Sequence, residues 1–336
     1  MFSLREKSLY VDALDLWIDS MRSRGRCYVS HGHADHAREH DVVVTSANNA
    51  KVCAHRFGRR TRKPASLFGE PERREVTFET HEFNEPWRIG DHELTLFSAG
   101  HVLGSSQLLI EGEHGRFVYT GDFKLEPSYT AEAPEVKRCD TVLMECTYGR
   151  PQYVFPPRVE VAAMMVAWAR DALEDGAVPI FFAYSLGKAQ EAIAILGAGG
   201  IPLTVHGAVA SMTRVYEEAG VALPPYECYD AAAFDGTRAL VWPPSGRALP
   251  AAVRGRTVRT AALTGWVVAK GNFWQHTDVG FPLSDHADFP SLLRYVELAQ
   301  PRKVLLNHGW RDFAHHLRRA GVDADYLEEN AQLALF

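Results

Sequence analysis

The chain has 336 residues, 46% of them hydrophobic, and is long enough to bury one large core or two smaller ones. Its amino terminus carries charges where a signal peptide needs an apolar core, and no apolar stretch is long enough to span a bilayer, so we expect a cytoplasmic protein without a membrane partner. Five cysteines without a Cys-x-x-Cys pair argue against a disulfide framework and a structural zinc knuckle, and a net charge of -6 provides no overall attraction to a polyanion.

Short segments with strand-like patterns dominate the chain from residue 9 to about residue 148. Each is mostly apolar and is separated from the next by turn residues. They lie at 16–18, 27–29, 42–45, 94–97, 107–110, 116–119 and 141–144. This density of strands predicts β-sheets in the first part of the chain.

After Pro156 and Pro157 helices and strands alternate, beginning with helical periodicity over 159–174. Successive parallel strands are predicted from apolar runs at 179–183, 201–205 and 238–242. The first pattern returns near residue 281, with a His/Asp cluster, a helix at 289–299, a strand at 303–307 and a closing helix at 311–320. A second α/β unit is therefore predicted to be inserted into the first. The predicted domains are 1–155 and 276–336 for the main domain and 156–275 for the insertion.

A histidine-rich segment, Ser30-His31-Gly32-His33-Ala34-Asp35-His36, follows the strand predicted at 27–29. Alternation along an extended backbone places His31 and His33 on the same side. The next turn brings Asp35 and His36 to a neighbouring point, so the segment has enough ligands for two metal ions. Imidazole and carboxylate ligands together suit zinc, with manganese or iron as alternatives where oxygen ligands share the site.

Three further candidate ligands, His101, Asp122 and His308, closely follow predicted strands. Because strand ends present functional groups at one rim of a sheet, we expect these residues to meet the histidine-rich segment. The assignment that fills two ions gives the first His31, His33, His101 and Asp122, and the second Asp35, His36, Asp122 and His308. Two ions bridged by Asp122 would share a hydroxide and lower its pKa toward neutrality.

The motif His31-x-His33-x-Asp35-His36, together with His101, Asp122 and His308, resembles the metal motifs of the metallo-β-lactamase superfamily. The rest of the chain resembles its β-CASP nuclease branch. This resemblance implies an α/β fold, a four-layer αβ/βα sandwich with an inserted β-CASP cap domain. It also implies a two-metal phosphodiesterase, in which Asp35 and Asp122 act in catalysis and a metal-bridging hydroxide attacks phosphorus.

In that branch a carboxylate ends the strand after the bridging aspartate, and a histidine follows the inserted domain; Glu145 and His286 stand at these places. The resemblance implies that His286, oriented by a hydrogen bond to Glu145, protonates the leaving oxygen or stabilises the scissile phosphate. Asp19 resembles the superfamily's first-motif aspartate, which supports the histidine ligands from outside the metal site. Asp15 is the rival for this role, and spacing leaves both open.

Several segments are candidates for contact with nucleic acid. The turn at 184–191 resembles the strand-to-helix turn of the cap domain, where free helix amides with Ser185 and Lys188 would hold a phosphate. Each basic cluster fits either a phosphate track or a solvated surface; the clusters are 55–63 and Arg247, Arg254, Arg256 and Arg259. The aromatic residues Trp266, Phe273 and Trp274 are candidates for base stacking in a cleft.

Within the branch, the compact length and the phrase Leu283-Ser284-Asp285-His286-Ala287-Asp288 resemble bacterial ligase-associated DNA exonucleases. The resemblance implies a role in DNA repair, with DNA as the polymer and a DNA ligase and a helicase as functional partners. His308 is typical of RNA-processing members, so an RNA nuclease of the mRNA 3′-end-processing type is the alternative. A small-molecule hydrolase on the same fold is a more remote alternative, since it would need neither the cap nor the pair Glu145 and His286.

Overall fold

The computed structural model describes residues 2–6, 8–60, 75–244, 250–269, 276–327 and 332–333. Within them the chain forms two units. The first comprises the described residues of Met1–Pro127, Glu132–Arg150 and Pro290–Phe336, and the second comprises those of Ser128–Ala131 and Pro151–Phe289. Five residues of the predicted basic and aromatic contacts, Arg62, Lys63, Arg247, Phe273 and Trp274, lie outside the described residues.

Twenty strands and six α-helices lie in the described part of the chain. The strands are β1 (Phe2–Arg5), β2 (Ser8–Val11), β3 (Leu16–Ile18), β4 (Arg26–Tyr28), β5 (Val42–Ser46), β6 (Thr77–His81), β7 (Trp87–Ile89), β8 (His92–Ser98), β9 (Ser106–Gly112), β10 (Gly115–Tyr119), β11 (Thr141–Cys146), β12 (Val178–Phe182), β13 (Leu203–Val205), β14 (Glu227–Cys228), β15 (Ala239–Trp242), β16 (Val258–Leu263), β17 (Val279–Phe281), β18 (Lys303–Gly309), β19 (Asp323–Tyr326) and β20 (Gln332–Leu333). The helices are α1 (Ala47–Arg60), α2 (Arg158–Glu174), α3 (Lys188–Ala198), α4 (Gly207–Glu218), α5 (Phe289–Ala299) and α6 (Asp312–Arg319). None of these helices combines the length and the apolar character needed to cross a bilayer.

The first unit contains two seven-stranded mixed sheets, ordered β20-β1-β2-β3-β4-β5-β6 and β19-β18-β11-β10-β9-β8-β7. In the second sheet β8, β9 and β10 pair antiparallel, and β10, β11, β18 and β19 pair parallel. The strands β8, β10, β11 and β18 therefore run in the same direction as β19 and end at the same edge. The segments with His101, Asp122, Glu145 and His308 lie at these four strand ends.

Alternate residues of the two sheets form the core between them. Leu94 and Leu96 in β8 and Leu108 and Ile110 in β9 pack in one cluster with Leu16 in β3. The spacing of two residues follows from the pleat, which sends successive side chains to opposite faces. Each such side chain, once fully buried, contributes about 1.5–3 kcal/mol to the free energy of unfolding.

Helices cover the outer faces of both sheets. α1 buries Cys53 and Phe57, one turn apart, in a cluster with Val43 in β5. On the second sheet, the hydroxyl of Tyr295 in α5 donates a hydrogen bond of 2.6 Å to Gln107 Oε1 in β9. Gln107 lies on the face of β9 opposite to the core residues. The resulting order of helix, sheet, sheet and helix confirms the predicted four-layer sandwich.

The second unit is built on a six-stranded sheet, ordered β14-β13-β15-β12-β16-β17, in which every neighbouring pair is parallel. Its strands are buried on both faces. Phe181 in β12 packs with Met165 in α2 and Ile193 in α3, whereas Ile180 packs on the opposite face with Leu240. Double burial explains why these strands are continuous apolar runs in the sequence. The predicted inserted α/β cap is therefore present.

The predicted boundaries of the insertion, 156 and 275, stay predictions. The long segment of the second unit runs from Pro151 to Phe289, so it extends beyond the predicted insertion at both ends. The later end has a structural reason, because β17 pairs in parallel with β16 in the sheet of the second unit. β17 is only 3 residues long, which is too short for a hydrophobic pattern to predict it.

Candidate metal centre

The histidine-rich segment lies at the carboxyl end of β4 and turns at His33. The carbonyl of His33 accepts hydrogen bonds from the N–H groups of His36 (3.1 Å) and Ala37 (2.8 Å). The guanidinium of Arg56, in α1, donates to the carbonyl of Gly32. Arg56 belongs to the basic cluster 55–63, for which phosphate contact was one of two interpretations. In the structure this cation contacts the backbone of the histidine-rich segment.

The end of β10 reaches the same place because residue 121 is a glycine. Gly121 has a φ of +54°, and a Cβ atom there would lie 2.7 Å from the Cβ and Oγ atoms of Ser30. A side chain at this position would therefore push the strand end away from the histidine-rich segment. Ser106, at the start of β9, adds a second link by donating its N–H to the carbonyl of Ser30 at 2.9 Å.

Two overlapping groups of ligand atoms result within the first unit. Within each group, the atoms lie no more than 4.8 Å from one another; the groups are His31, His33 and His101, and His31, His36 and Asp122. Nε2 of His101 lies 3.0 Å from Nδ1 of His33. Asp122 Oδ2 lies 3.3 Å from His36 Nε2, 3.5 Å from His31 Nε2 and 3.9 Å from His101 Nε2. Asp122, a member of the second group, thus also lies near His101 of the first group, and its role as a bridging ligand stays a prediction.

Hydrogen bonding leaves one nitrogen of His31 available to a cation. The Ser30 hydroxyl donates its single hydrogen to Asp19 Oδ2 at 2.6 Å, so it accepts the bond of 3.1 Å from Nδ1 of His31. Nε2 of His31 then carries a lone pair, and this buried atom makes no hydrogen bond within the described residues. An unsatisfied buried group costs about 1–3 kcal/mol. A divalent cation bound to Nε2 would remove this penalty.

The surroundings of His36 also fit a cation. Its Nδ1–H donates to Asp19 Oδ2 at 2.8 Å, so loss of the proton on Nε2 would leave a lone pair facing Asp122 Oδ2. Two acceptors 3.3 Å apart repel each other unless a proton or a metal ion lies nearby. Burial lowers the pKa of His31 well below its usual range, whereas the carboxylates of Asp122 and Asp19 outweigh burial and raise the pKa of His36 well above it. Imidazole and carboxylate donors of this kind fit zinc.

Asp19 supports these ligands without belonging to either group. Its Oδ1 accepts the N–H of Ser30 at 2.7 Å, and its Oδ2 accepts the hydroxyl of Tyr119 at 2.8 Å in addition to the bonds from Ser30 and His36. Burial, followed by the charge of Asp19, raises the pKa of Tyr119 well above its usual range, so this residue stays a donor. Asp15 instead accepts the hydroxyl of Tyr10 at 2.5 Å in an exposed position.

Ser30 and Tyr119 were missed as functional residues in the sequence. Tyr119 alternates with Phe117 on the core side of β10, which reads as ordinary packing. Ser30 directly precedes His31, and its only signal is this neighbour. Ser30 and Tyr119 matter because their hydroxyls donate to Asp19. The number of residues between Asp19 and Tyr119 in the sequence does not predict that their side chains meet.

The other predicted residues of the main domain lie at or near these strand ends. The side chain of Glu145 is buried in β11, and its Oε1 accepts the N–H of Phe123 at 2.8 Å, which fixes the segment next to Asp122. His308 is exposed, with its ring centroid 5.0 Å from that of His36. Asp35 is exposed. Neither Asp35 nor His308 belongs to the two ligand groups described above, so the ligand set of a second ion stays a prediction.

His286 lies in the second unit, in the irregular segment between β17 and α5. It is half-buried, and its N–H donates to Ser284 Oγ at 3.0 Å. Ser284 Oγ in turn donates to the carbonyl of His286 at 3.1 Å. These bonds hold the backbone at residue 286. The predicted hydrogen bond between His286 and Glu145 stays a prediction.

The predicted phosphate site at Ser185 and Lys188 needs a correction, because the amides at the start of α3 are not free. The N–H of Gly187 donates to Gln190 Oε1 at 2.8 Å, and that of Ala189 donates to the carbonyl of Tyr184 at 3.1 Å. Lys188 is buried, and its ammonium lies 3.0 Å from Asp285 Oδ2. The amides of Gly187, Lys188 and Ala189 and the ammonium of Lys188 therefore already have partners, whereas a phosphate contact of Ser185 stays a prediction.

Comparison with known families and proteins agrees with this geometry. A model of the beta-lactamase superfamily domain matches residues 27–182, which contain His31, His101 and Asp122. A model of the Zn-dependent metallo-hydrolase RNA specificity domain matches residues 280–329, which contain His286 and His308. Both matches agree with the predicted resemblance.

Individual relatives are similar over different shares of their length. A protein named probable DNA ligase from Opitutus terrae is 38% identical over 330 residues, which are 97% of this chain and 31% of the relative. A protein named probable RNase MJ4 from Methanocaldococcus jannaschii is 24% identical over 225 residues, which are 59% of this chain and 51% of the relative. The chain therefore spans about a third and about half of these two proteins.

A solved structure has a similar fold. The crystal structure of a protein of unknown function from Enterococcus faecalis matches with a TM-score of 0.59 and 14% identity, over 91% of this chain and 80% of that chain. At this identity the match concerns the fold alone.

The two family matches, the sandwich with its inserted cap and the converging histidines lead to one conclusion. The chain belongs to the metallo-β-lactamase superfamily, in its β-CASP branch.

Proposed function

We propose that the chain hydrolyses phosphodiester bonds in nucleic acid with two divalent metal ions, and that DNA is its substrate. The observation that carries this proposal is the approach of Asp122 to His31 and His36, with Oδ2 3.3 Å from His36 Nε2 and 3.5 Å from His31 Nε2. Asp122 comes from a different segment of the chain than the two histidines. Buried donors of this kind are the ligands that zinc prefers, with manganese as the alternative.

The protein's own residues divide the work as follows. Imidazoles from His31, His33, His36 and His101 and the carboxylate of Asp122 hold the ions, while Asp19 keeps two of these imidazoles in the tautomer that presents Nε2. Bound divalent ions supply an activated water and neutralise charge on the phosphate oxygens. Asp35 and His308 complete the second ion site, and His286 donates a proton to the leaving oxygen with Glu145 orienting its ring.

DNA is preferred because of the relative from Opitutus terrae. In that protein, named probable DNA ligase, a region similar to nearly all of this chain makes up about a third of the length. We infer that this chain acts as an exonuclease in DNA repair, in functional association with a DNA ligase and a helicase.

RNA is the second candidate substrate. The model that matches residues 280–329 is described as an RNA specificity domain, and the relative from Methanocaldococcus jannaschii is named probable RNase. His308 lies in the matched segment. This alternative uses the same ions and the same protein groups, so only the polymer differs.

A direct comparison of polymers tests the proposal. Single- and double-stranded DNA and RNA of one sequence, labelled at either the 5′ or the 3′ end, are digested with zinc or manganese. We expect single-nucleotide steps on DNA, at least about tenfold faster than on RNA, and no digestion by Asp122→Asn, which removes the charge at the centre of the two ligand groups. The label that disappears first gives the direction of digestion.

Asp91→Asn is the matched control, since Asp91 is an exposed aspartate in the turn between β7 and β8. It should digest DNA at the wild-type rate. Faster digestion of RNA would replace DNA by RNA as the substrate. A protein that binds both ions but leaves every polymer intact would contradict the proposed function.

A further inference from the structure

The second unit buries four charged side chains near the start of α3. Arg158, Lys188, Glu191 and Asp285 are each at most 6% exposed. They form two ion pairs, between the guanidinium of Arg158 and Glu191 Oε1 and between Lys188 Nζ and Asp285 Oδ2, 3.0 Å apart. Burying an ion pair costs desolvation energy, and apolar side chains of the same size often stabilise a protein more. Stability alone therefore does not explain why four charged side chains are buried here.

Both cations contact the segment directly before His286. Lys188 pairs with the side chain of Asp285, and Nη2 of Arg158 donates to the carbonyl of Ser284 at 3.3 Å. Ser284 Oγ then bonds both the N–H and the carbonyl of His286. The two buried cations thus contact the residues one and two positions before His286. The imidazole of His286 is the acid in the proposed function.

The segment is also fixed on the other side of His286. Asp288 Oδ2 accepts the N–H of Phe155 at 3.0 Å, and the N–H of Phe289 donates to the carbonyl of Tyr153 at 2.9 Å. The backbone around residue 286 is therefore tied on both sides to elements of the second unit. This arrangement gives a half-buried histidine in an irregular segment a defined place.

We propose that Lys188 and Arg158 are positioning residues, which hold His286 in place for proton donation through Asp285 and Ser284. The proposal rests on the proposed function, because it gives His286 a reaction to serve. It also explains why Lys188 is paired inside the protein instead of meeting a phosphate. A general acid works only within hydrogen-bond reach of the leaving oxygen, and a misplacement of about 1 Å costs on the order of 10²-fold in rate.

The test compares two substrates that differ in their need for an acid. One is the DNA strand of the preceding assay, and the other is bis(p-nitrophenyl) phosphate, whose nitrophenolate leaves without receiving a proton. We expect Lys188→Met to lower kcat on DNA by about 10- to 100-fold, with KM within about twofold and metal content unchanged. On bis(p-nitrophenyl) phosphate the same variant should hydrolyse within about threefold of the wild-type rate.

A double-mutant cycle asks whether Lys188 acts through the histidine. We expect His286→Ala to slow hydrolysis of DNA by about 10²–10⁴-fold. The variant Lys188→Met/His286→Ala should then be no slower than His286→Ala alone, because the positioned group is already missing. Additive losses, equal losses on both substrates, or a higher KM at unchanged kcat would overturn the proposal; the last outcome would make Lys188 a phosphate ligand.

Lys188→Met removes the cation that pairs with the buried carboxylate of Asp285, which can prevent folding. The variant Lys188→Met/Asp285→Leu removes both charges and keeps the core apolar. It should fold and should show the same selective loss on DNA, and a wild-type rate on DNA would overturn the proposal. Arg238→Met is the control, since it breaks a pair of 2.7 Å with Glu227 in which both side chains are exposed by a third or more. It should leave both rates unchanged.

The two proposals fail in different ways. If His286→Ala digests DNA at the wild-type rate, the acid role of His286 fails, and the positioning role fails with it. If His286→Ala is slow but Lys188→Met and Lys188→Met/Asp285→Leu are as fast as the wild type, the proposed function stands and only the positioning role is wrong.

Discussion

Asp19 lies outside the ligand groups but decides which nitrogen two histidines present. Its Oδ2 accepts from Nδ1 of His36 and from the hydroxyl of Ser30, which in turn accepts from Nδ1 of His31. One carboxylate therefore sets the tautomer of both rings. Partners of this kind orient metal ligands and raise their basicity. At the scale of single residues, metal affinity should depend on Asp19 almost as strongly as on the ligands.

Asp19→Asn tests this dependence. An amide nitrogen in place of Oδ2 cannot accept from His36, Ser30 or Tyr119, so both rings lose the bonds that fix their tautomers. We expect the affinity for zinc to fall by about 10–100-fold, measured by competition with a chromophoric chelator.

Asp15→Asn is the matched control because Asp15 is exposed, contacts Tyr10, and has a positive φ of 46° that asparagine tolerates. Its affinity for zinc should equal that of the wild type. An unchanged affinity in Asp19→Asn, or an equal loss in both variants, would contradict the role given to Asp19.

At the scale of elements, the site depends on how closely strand ends approach one another. β10 ends beside the histidine-rich segment only because Gly121 leaves space for Ser30. The strands themselves were largely predictable, since 94–97, 107–110, 116–119 and 141–144 fall within β8, β9, β10 and β11. The edge strands β6 and β7 were missed because their residues are half-exposed or polar, which weakens the hydrophobic pattern.

Gly121→Ala tests the close approach. The new Cβ would meet the side chain of Ser30 at 2.7 Å, in addition to the strain of a positive φ. We expect the free energy of unfolding to fall by about 2–4 kcal/mol and zinc affinity to fall with it, because Asp122 is displaced. Urea unfolding and a zinc titration measure the two effects.

Gly90→Ala separates strain from contact. Gly90 has a similar φ of +58° but no atom within 4 Å of an added Cβ. It should cost only about 1 kcal/mol and leave zinc affinity unchanged. Equal losses of stability and equal zinc affinity in the two variants would show that the approach of Gly121 to Ser30 has no part in building the site.

At the scale of the whole molecule, the ligands and the cap have separate cores. The two ligand groups lie in the first unit, whose core is formed between its two sheets. The second unit has apolar clusters of its own on both faces of its parallel sheet. Units with separate cores are able to unfold separately, and a ligand stabilises only the unit that binds it.

Calorimetry with and without zinc tests this independence. We expect two transitions, of which one rises by roughly 5–10 °C when free zinc exceeds its dissociation constant about 100-fold. The other transition should stay where it is when a chelator removes the metal. Gly121→Ala should lower the transition that zinc raises. A single transition, or two that shift together with zinc, would contradict the assignment of the metal to one unit.

The sequence by itself determined the family, the sandwich with an inserted α/β cap and the cluster of candidate ligands. These properties follow from local patterns, namely alternation in strands, continuous apolar runs in a doubly covered sheet, and histidines at strand ends. Only the tertiary structure placed Asp19 in hydrogen bonds with His36 and Ser30 and Asp15 in one with Tyr10, left Nε2 of His31 without a hydrogen bond within the described residues, and paired Lys188 with Asp285. Each of these depends on which strand and helix ends meet across tens to hundreds of residues. The spacing of residues along the chain does not predict these contacts, because they result from the order of the strands in the sheets.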